Sequence, residues 1–406
     1  MNPRQFCETI RAMALEDQRH IVVCGHLCLD IIPTFPRSTD PQTALDYFRP
    51  GRLSIVEAAV TATGGAVSNV GLSLHKLGLP VRLVAKVGND PFGDIIIRNV
   101  SQSSASLARD IARGEGETTS YTVVINPPGV DRIFLHCPGA NDTFTDEDVS
   151  DSVFENAALF HFGYPPLMRS IWSDGGTRLV RLLRRARSHG AVTCLDMSLP
   201  DPGSPSGKID WRAYLDRVLP EVDLFVPSIE ELLFMADRAS FERTSARSGS
   251  AAITHEISLR DTGLLAEKVI EAGVSAVLIK MGDRGAYLRT SQKGLGSLEG
   301  WSQRELYTPV FHVPTVGGTT GSGDATIAGF LASVYKALSS EDALTMAVAV
   351  GACCVEAPDA TSGIQPWHAT TRRVNGGWKR SEGRATEPGW RPLGSGIWAG
   401  PADRWS

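Results

Sequence analysis

Apolar residues along the chain fall into short continuous runs and into longer segments with helical spacing. The continuous runs predict buried strands, and they cover residues 21–32, 81–87, 159–163, 191–197, 224–227 and 276–281. The first run is predicted to be one strand with Asp30 near its end. The segments between the runs repeat apolar residues every three to four positions, and one begins after Gly64-Gly65 and ends at Gly78. This alternation predicts an α/β fold with a central, mostly parallel sheet covered on both faces.

Two regions in the first third of the chain interrupt the alternation. Residues 118–125 and 132–137 are strand-like and are joined by Asn126-Pro127-Pro128-Gly129, which predicts a hairpin. Residues 52–63 partly alternate between apolar and polar side chains, as an exposed strand does. The segments at about 33–63 and 117–137 therefore predict a small β-rich lid on the α/β body.

The composition changes at both ends of the chain and in one internal segment. Residues 1–19 are predicted to form an N-terminal arm and residues 20–374 the main domain. Residues 239–262 are rich in Ser, Ala and Arg, which predicts a loop. In residues 375–406, called the tail below, glycines are interleaved with Trp378, Trp390, Trp398 and Trp405. This composition predicts a tail without regular structure, with its tryptophans packed against the body.

The composition also disfavours several classes of protein. An apolar fraction of 42% and a charged fraction of 21% are those of an ordinary globular protein, and a net charge of −5 disfavours a nucleic-acid or anionic-membrane surface. The arginines of residues 178–187 could bind phosphate or nucleic acid, but a solvated helix face is favoured. The seven cysteines include no C-x-x-C pair, so neither a disulfide framework nor a zinc site is indicated. With no secretory signal and no long apolar run, a cytoplasmic protein without a membrane partner is expected.

One glycine-rich stretch carries candidate chemistry. Thr319-Thr320-Gly321-Ser322-Gly323-Asp324 follows a proline-stopped apolar run and opens a helical segment. Glycines expose backbone N–H groups at a sharp turn, and a helix N-terminus adds unpaired donors and the positive end of its dipole. The stretch therefore predicts an anion site. Asp324 beside such a site is either a simple helix cap, or a base or cation ligand.

Three separated motifs, two of them rich in glycine, span most of the chain. They are Gly64-Gly65 with Asn69, Lys280-Met281-Gly282-Asp283-Arg284-Gly285, and Gly321-Ser322-Gly323-Asp324. Weaker ones are Asp30, Pro138-Gly139-Ala140-Asn141, Pro227-Ser228-Ile229-Glu230-Glu231 and Ser362-Gly363-Ile364-Gln365-Pro366. In these motifs and their order, the chain resembles the ribokinase-like (PfkB) carbohydrate kinases over about residues 21–373. The resemblance implies a ribokinase-like three-layer fold with a β-lid over the sugar.

The resemblance implies an ATP-dependent sugar kinase and assigns its catalytic residues. Asp324 would be the general base that removes a proton from a sugar hydroxyl as that hydroxyl attacks the γ-phosphate of ATP. Gly321, Ser322 and Gly323 would donate backbone N–H groups to the transferring phosphoryl group.

The same resemblance places Asp30, Gly64, Gly65 and Asn69 at the sugar, since a carboxylate and an amide match the donors and acceptors of a polyol. Tyr164, which follows a predicted strand, is a further candidate on the sugar side. From the residues alone, Asn69 could instead be a simple helix-start residue, and Asp30 a strand-end residue bonded to turn N–H groups.

On the nucleotide side, the resemblance implies that Glu231 orients water on Mg²⁺, which prefers oxygen ligands. Lys280, Gly282 and Gly285 would pass beside the nucleotide, and Gly363 would close the adenine pocket. Lys280 could also be a plain surface charge.

Two positions depart from the family's pattern. Gly318 stands two residues before Thr320, where the family often has an Asp that helps to bind a monovalent cation, so potassium activation is in doubt. Ser228 replaces the Asn of the family's N-x-x-E motif; its hydroxyl can still contact phosphate or metal-bound water, but more weakly.

Several alternatives follow from these residues. A catalytically silent sugar- or nucleoside-binding member of the fold is one, and a nucleoside kinase that stacks its substrate on Phe35, Tyr47 or Phe48 is another. A dehydrogenase is disfavoured because the third glycine of G-x-G-x-x-G is absent, and no Walker A motif is present. The expected partner is a small sugar or nucleoside, and a homodimer formed through the lids is possible.

Overall fold

The computed structural model describes residues 19–36, 44–127, 133–249, 253–296, 298–381, 385 and 387–404. The predictions for residues 1–18 and for Trp405 lie outside this part of the chain. Its strands are β1 (His20–Gly25), β2 (Cys28–Thr34), β3 (Glu57–Gly64), β4 (Val81–Gly88), β5 (Ile111–Gly114), β6 (Tyr121–Ile125), β7 (Ile133–Cys137), β8 (Ala157–Gly163), β9 (Val192–Leu195), β10 (Leu224–Phe225), β11 (Ala276–Lys280), β12 (Ala286–Thr290), β13 (Glu305–Thr308), β14 (Arg391–Gly394) and β15 (Ile397–Ala399). Its helices are α1 (Ala66–Lys76), α2 (Pro91–Ser103), α3 (Arg169–Trp172), α4 (Thr177–Ser188), α5 (Trp211–Val218), α6 (Ile229–Ala236), α7 (Arg238–Ser248), α8 (Ile253–Glu256), α9 (Leu259–Glu271), α10 (Ser322–Tyr335), α11 (Ser340–Val355) and α12 (Trp367–Asn375).

The main sheet has eleven strands in the order β14-β15-β13-β12-β11-β10-β9-β8-β1-β4-β5. From β11 to β5 each strand runs parallel to its neighbours, and β12, β13, β15 and β14 continue the sheet antiparallel. Strands covered by helices on both faces are apolar on both sides, which is why they appear in the sequence as continuous apolar runs. The prediction of a central, mostly parallel sheet is confirmed.

The side chains of β1 show how this sheet divides the core. Ile21 and Val23 pack in one apolar cluster with residues of α1, α2, α10 and α11. Val22 and Cys24 pack in the other cluster, with residues of α4, α5, α6 and α9. Successive side chains of a strand point to opposite faces, so the sheet lies between two helical layers and the body has three layers.

A separate sheet of four strands, in the order β3-β2-β6-β7, forms the predicted lid. The prediction of one strand over residues 21–32 is wrong. The chain leaves the main sheet at Gly25, where φ is 127° and a Cβ would overlap the carbonyl oxygen of Gly163, and it enters the lid as β2. Asp30 therefore lies inside the lid sheet, opposite Ala62, rather than near the end of the first strand.

Helices occupy much of the segment 239–262, so the prediction of a loop there is wrong. Asp237 caps α7 by accepting a hydrogen bond from the Ser240 N–H. Phe241 packs edge-on against Phe234, with ring centroids 5.1 Å apart. A buried aromatic ring anchors α7, whereas the prediction depended on repeated apolar residues, which this polar segment lacks.

The prediction that the tail has no regular structure is also wrong. β15 pairs with β13 and β14 pairs with β15, so the tail extends the main sheet. Arg304 and Asp403 join body and tail by an ion pair of 2.8 Å, in which neither side chain is more than 1% exposed. Trp378, Trp390 and Trp398 pack against the body, as predicted. Tertiary contacts thus order a segment whose Gly and Pro content locally disfavours regular structure.

The arginines of α4 are paired with nearby carboxylates. The ion pairs are Arg178–Asp174, Arg181–Asp146, Arg184–Glu221, Arg185–Asp151 and Arg187–Glu221. Each of these guanidinium groups therefore has an anionic partner, and the helix face carries a network of ion pairs. Within the described ranges, no helix combines the length and apolarity that crossing a bilayer requires.

Candidate active site

Helix α10 begins within the glycine-rich stretch. Gly321, which precedes its first residue, has φ 75° and ψ 1°, and a Cβ at this position would overlap the side chain of Ala360. Both the left-handed backbone and the close approach require glycine. The first turn of the helix contains Ser322, Gly323 and Asp324. Its backbone N–H groups lack helical acceptors and lie at the positive end of the helix dipole, which is the geometry of an anion site.

Asp324 is buried, and both of its carboxylate oxygens accept hydrogen bonds. Only 4% of the residue is exposed. Tyr164 Oη donates to Oδ1 at 2.7 Å and Asn69 Nδ2 donates to Oδ2 at 2.9 Å. Burial raises the pKa of Asp324, although the two hydrogen bonds and the charge of Lys280 oppose the rise. The first turns of α1 and α10 and the residue after β8 thus meet at one carboxylate.

Lys280, at the end of β11, forms an ion pair with Asp196, which follows β9. Nζ and Oδ1 are 2.7 Å apart, and the two side chains are 12% and 0% exposed. Burial lowers the pKa of Lys280, but the charges of Asp196 and Glu231 outweigh burial, so the pKa is raised and the side chain is an ammonium ion. The hypothesis of a plain surface charge at Lys280 is therefore wrong. Sequence analysis missed Asp196, whose available signal was an acidic residue directly after a continuous apolar strand.

Ser228 and Glu231 form a reciprocal cap at the start of α6. The Ser228 hydroxyl accepts a hydrogen bond from the Glu231 N–H at 3.2 Å, and Glu231 Oε2 accepts one from the Ser228 N–H at 2.6 Å. The Lys280 N–H donates to the Pro227 carbonyl oxygen at 2.9 Å, which fixes this helix start beside β11. Burial raises the pKa of Glu231, against the charge of Lys280.

The lid and the β1–β2 connection bring Asp30 and His26 against the glycine pair. A Cβ on Gly64 would overlap the Asp30 carboxylate, and one on Gly65 would lie 2.6 Å from the carbonyl oxygen of His26. Burial raises the pKa of Asp30 to about 6. Both ring nitrogens of His26 and Oδ1 of Asn69 are buried without a hydrogen-bond partner among the described residues. Buried polar atoms are rarely left unpaired, so this region is suited to a polar ligand. Sequence analysis missed His26, a polar residue between two strands that no motif marks.

Gly65→Ala is expected to lower the free energy of unfolding by about 1–3 kcal/mol. Gly65 has φ 90° and ψ 164°, a conformation that only glycine adopts readily, and its Cβ position faces the His26 carbonyl oxygen. Urea unfolding of the two proteins measures the loss. Gly78→Ala is the matched control, because Gly78 has φ 87° but nothing within 4 Å of its Cβ position. If the two variants lost the same free energy of unfolding, the close approach of the new Cβ to the His26 carbonyl oxygen would not be destabilising.

Two cavities lie near these residues. Cavity A has a volume of about 490 Å³ and is lined by the 280–285 loop, the start of α10, one face of α11 and residues 310–316. Cavity B, of about 990 Å³, lies between the lid and the segments that follow β8 and β9. Lys280, Gly282 and Gly285 line cavity A with Ser322 and Gly323. Gly363 does not line it but packs against the carbonyl oxygen of Cys353.

Comparison with known proteins gives consistent matches. Residues 18–367 match the pfkB family carbohydrate kinase model. A 2-dehydro-3-deoxygluconokinase of Bacillus subtilis is 26% identical over 324 residues, covering 77% of this chain and 87% of the relative. Fructokinase-2 of Solanum lycopersicum is 23% identical over 318 residues, covering 77% and 81%.

Solved structures show the same fold. Arabidopsis thaliana ribokinase, complexed with ribose and ATP, has a TM-score of 0.63 at 18% identity and covers 87% of this chain and 98% of its own. A putative ribokinase II of E. coli, in complex with ATP and Mg²⁺, has a TM-score of 0.64 at 19% identity and covers 88% and 99%.

Proposed function

Because the chain belongs to the pfkB family of carbohydrate kinases, we propose that it transfers the γ-phosphate of ATP to a sugar hydroxyl with Asp324 as the general base. The observation that carries this proposal is the setting of that carboxylate. Asp324 is buried in the first turn of α10, at the positive end of the helix dipole, and Tyr164 and Asn69 hold its two oxygens. A carboxylate repels a bound anion, so its place beside an anion site is best explained if it removes a proton from the attacking hydroxyl.

Asp324 accepts the proton of the attacking hydroxyl. The sugar oxygen forms a bond to the γ-phosphorus, the bond from that phosphorus to the β–γ bridging oxygen breaks, and ADP leaves with the bonding electrons. Burial raises the pKa of Asp324 towards the working pH, which makes the carboxylate a better proton acceptor than an exposed one. The two hydrogen bonds fix the orientation of the carboxylate, and orientation is a large part of the effect of a general base.

The backbone of Gly321, Ser322 and Gly323 would stabilise the charge that develops on the transferring phosphoryl group. These residues bring N–H groups and the dipole of α10 to one point. Lys280 lines the same cavity A as Ser322 and Gly323 and is charged. Cavity A, which is lined both by these phosphate donors and by apolar side chains, suits a nucleotide.

The residues near Lys280 fit a magnesium ion carried by the nucleotide. Mg²⁺ in kinases is held by one or two carboxylates, waters and substrate phosphates, so the lack of a cluster of three or more ligands in the described ranges does not conflict with it. Glu231 and Asp196 supply carboxylates, and Oδ2 of Asp196 is buried without a partner among the described residues. Glu231 would orient water on the ion. Bound Mg²⁺ would neutralise part of the phosphate charge.

Two expectations stay predictions. One is the homodimer formed through the lids. The other concerns a monovalent cation, to which Gly318 has no side-chain oxygen to offer.

The residues proposed to bind the phosphoryl acceptor favour a sugar over a nucleoside. Asp30, Asn69 and His26 present polar atoms to one region beside Gly64-Gly65, which suits the many hydroxyls of a polyol. A nucleoside would want a free aromatic ring. Instead, Phe35 packs against Tyr47 at a centroid distance of 5.2 Å and against Phe48 at 6.2 Å. Tyr47 and Phe48 thus both contact Phe35.

ADP release from Mg-ATP is the test, measured with ribose, fructose, 2-keto-3-deoxygluconate and adenosine. We expect turnover with a sugar and not with adenosine. Asp30→Ala should raise the KM for that sugar about tenfold or more, since a charged hydrogen bond is lost, and leave the KM for ATP nearly unchanged. Binding of a sugar without any turnover would instead support a catalytically silent binding protein.

A further inference from the structure

The first part of the tail runs beside the wall of cavity A. The His312 N–H donates to the Lys379 carbonyl oxygen at 2.8 Å, and the Ser381 N–H donates to the Val310 carbonyl oxygen at 2.9 Å. Phe311 and Arg380 form an antiparallel bridge between these bonds. Residues 378–381, called the tail wall below, lie beyond the region 18–367 that matches the family.

The tail wall fixes the aromatic ring of Phe311, which lines cavity A. The Trp378 ring is stacked on it, with centroids 4.5 Å apart and an interplanar angle of 22°. The Arg380 guanidinium lies over the same ring at 3.7 Å from the centroid. Trp378 Nε1 also donates to the His312 carbonyl oxygen at 2.9 Å. Stacking and cation–π contacts of this kind favour one orientation of the ring.

Ser381 itself lines cavity A. Its hydroxyl makes no hydrogen bond within the part of the chain that the structure describes, and the other walls of the cavity include Val348 and Val355 of α11. Lys280 and Gly323 line the same cavity. The lining of the cavity therefore combines charged, phosphate-suited residues with apolar side chains and a serine, and a nucleotide base has the flat apolar faces and polar edge to match the apolar part of that lining.

The tail is firmly attached on both sides of this wall. On the C-terminal side, Glu387 accepts hydrogen bonds from the Leu259 and Arg260 N–H groups at the start of α9, at 2.6 and 2.9 Å. Further on, Arg304 and Asp403 form their buried ion pair. Before the wall, α12 ends at Asn375. A wall held in this way is formed before a ligand arrives, which reduces the entropy lost on binding.

We propose that the tail wall is the base-binding wall of the nucleotide site, with Ser381 contacting the base and with Trp378 and Arg380 positioning Phe311. This inference rests on the proposed function, since it takes cavity A as the ATP site. The tail therefore acts in recognition of the phosphoryl donor and not of the sugar.

Ser381→Trp should weaken Mg-ATP binding, because the larger side chain fills part of cavity A, which Ser381 lines. Calorimetric titration of the full chain with Mg-ATP, without sugar, is expected to give a Kd raised about tenfold or more. The KM for the sugar should change less than about twofold, because the overpacked side chain lies in the ATP cavity and not at the sugar. Trp378→Leu, which removes the stacked ring and leaves cavity A open, should raise the Kd by a smaller factor. Leu393→Ala is the control, because Leu393 lies in the same tail but is 39% exposed on the outermost strand.

The outcomes separate the two proposals. Wild-type protein that does not bind Mg-ATP would overturn the proposed function and this inference with it. Wild-type binding with an unchanged Kd in both Ser381→Trp and Trp378→Leu would overturn the inference alone. An equal rise in the Kd for ATP and the KM for the sugar would also overturn it, since a general loss of structure would then explain the effect. Thermal melting of each variant identifies such a loss directly.

Discussion

Asp324→Asn is expected to lower kcat by about 10²–10⁴-fold while leaving the fold and the affinity for Mg-ATP nearly unchanged. The substitution keeps the size of the side chain and removes its ability to accept a proton. In the wild type, Oδ1 of Asp324 accepts a hydrogen bond from the Tyr164 hydroxyl. In the variant this hydroxyl can rotate and accept a hydrogen bond from the side-chain amide instead, so the two side chains remain hydrogen-bonded. Single-turnover rates at saturating sugar and ATP measure the loss. Retention of more than about a tenth of the wild-type rate would contradict the assignment of Asp324 as the base.

Tyr164→Phe distinguishes a base from a merely structural carboxylate. The hydrogen bond from Tyr164 lowers the pKa of Asp324, although burial raises that pKa overall. Removal of the hydroxyl therefore raises the pKa further. If the ionised Asp324 is the base, activity is lost as the pH falls through this pKa, and the acid limb of the kcat/KM profile moves to higher pH in the variant. An acid limb that does not move would show that another group titrates.

Lys280→Met is expected to lower the free energy of unfolding by about 3–5 kcal/mol, the cost of breaking a buried ion pair from one side. Asp196 has no exposed side-chain surface, and Lys280 is its ion-pair partner. Methionine fills a similar volume but leaves this carboxylate without a cation. This loss of stability should depend on pH, whereas a loss caused by poorer packing alone would not.

The sign of that pH dependence follows from burial. Burial raises the pKa of Asp196 well above its ordinary value even with Lys280 opposing the rise, and removing Lys280 raises it further. The folded variant therefore favours the protonated acid. Its stability is highest below the unfolded pKa of about 3.9 and falls as the pH rises through the folded pKa. In the wild type, Lys280 opposes the rise in the pKa of Asp196, so this pH dependence is weaker, and the stability that Lys280 itself contributes is lost only as the pH rises through its own raised pKa.

Urea unfolding at pH 5 and pH 8 measures this effect, with Lys280→Met/Asp196→Asn as the matched control. The double variant removes the buried charge and should recover much of the lost stability at pH 8. A Lys280→Met variant that is destabilised equally at both pH values, or a double variant that recovers nothing, would contradict a stabilising role for the buried pair.

The sequence was informative about local structure and about the motifs. Continuous apolar runs predicted the parallel strands, because a strand buried on both faces must be apolar on both sides. The glycine-rich stretch predicted the start of α10, because a left-handed turn and a close backbone approach both require glycine at Gly321. The resemblance named Asp324, Asn69 and Tyr164, and the fold brings all three into contact.

The predictions from sequence that were wrong or incomplete concern features that depend on contacts between residues far apart in the chain. Asp30 was placed in the first strand because nothing local marks the point at which the chain passes from the main sheet to the lid. Asp196 was missed because its partner Lys280 is 84 residues away. The tail was predicted to be irregular because its glycines disfavour regular structure locally, whereas pairing with β13 orders it.

By itself, therefore, the sequence determined the fold class and the start of α10, since these depend on periodicity and on backbone requirements that neighbouring residues reveal. Asp324 was named as the candidate base through the family resemblance that the sequence carries. Only the tertiary structure decided that Lys280 is a buried partner of Asp196, that His26 lies against Gly65, and that the tail borders cavity A. Each of these depends on which strand ends and loops meet in space, and the free energy of such contacts comes from burial and pairing between segments far apart in the chain.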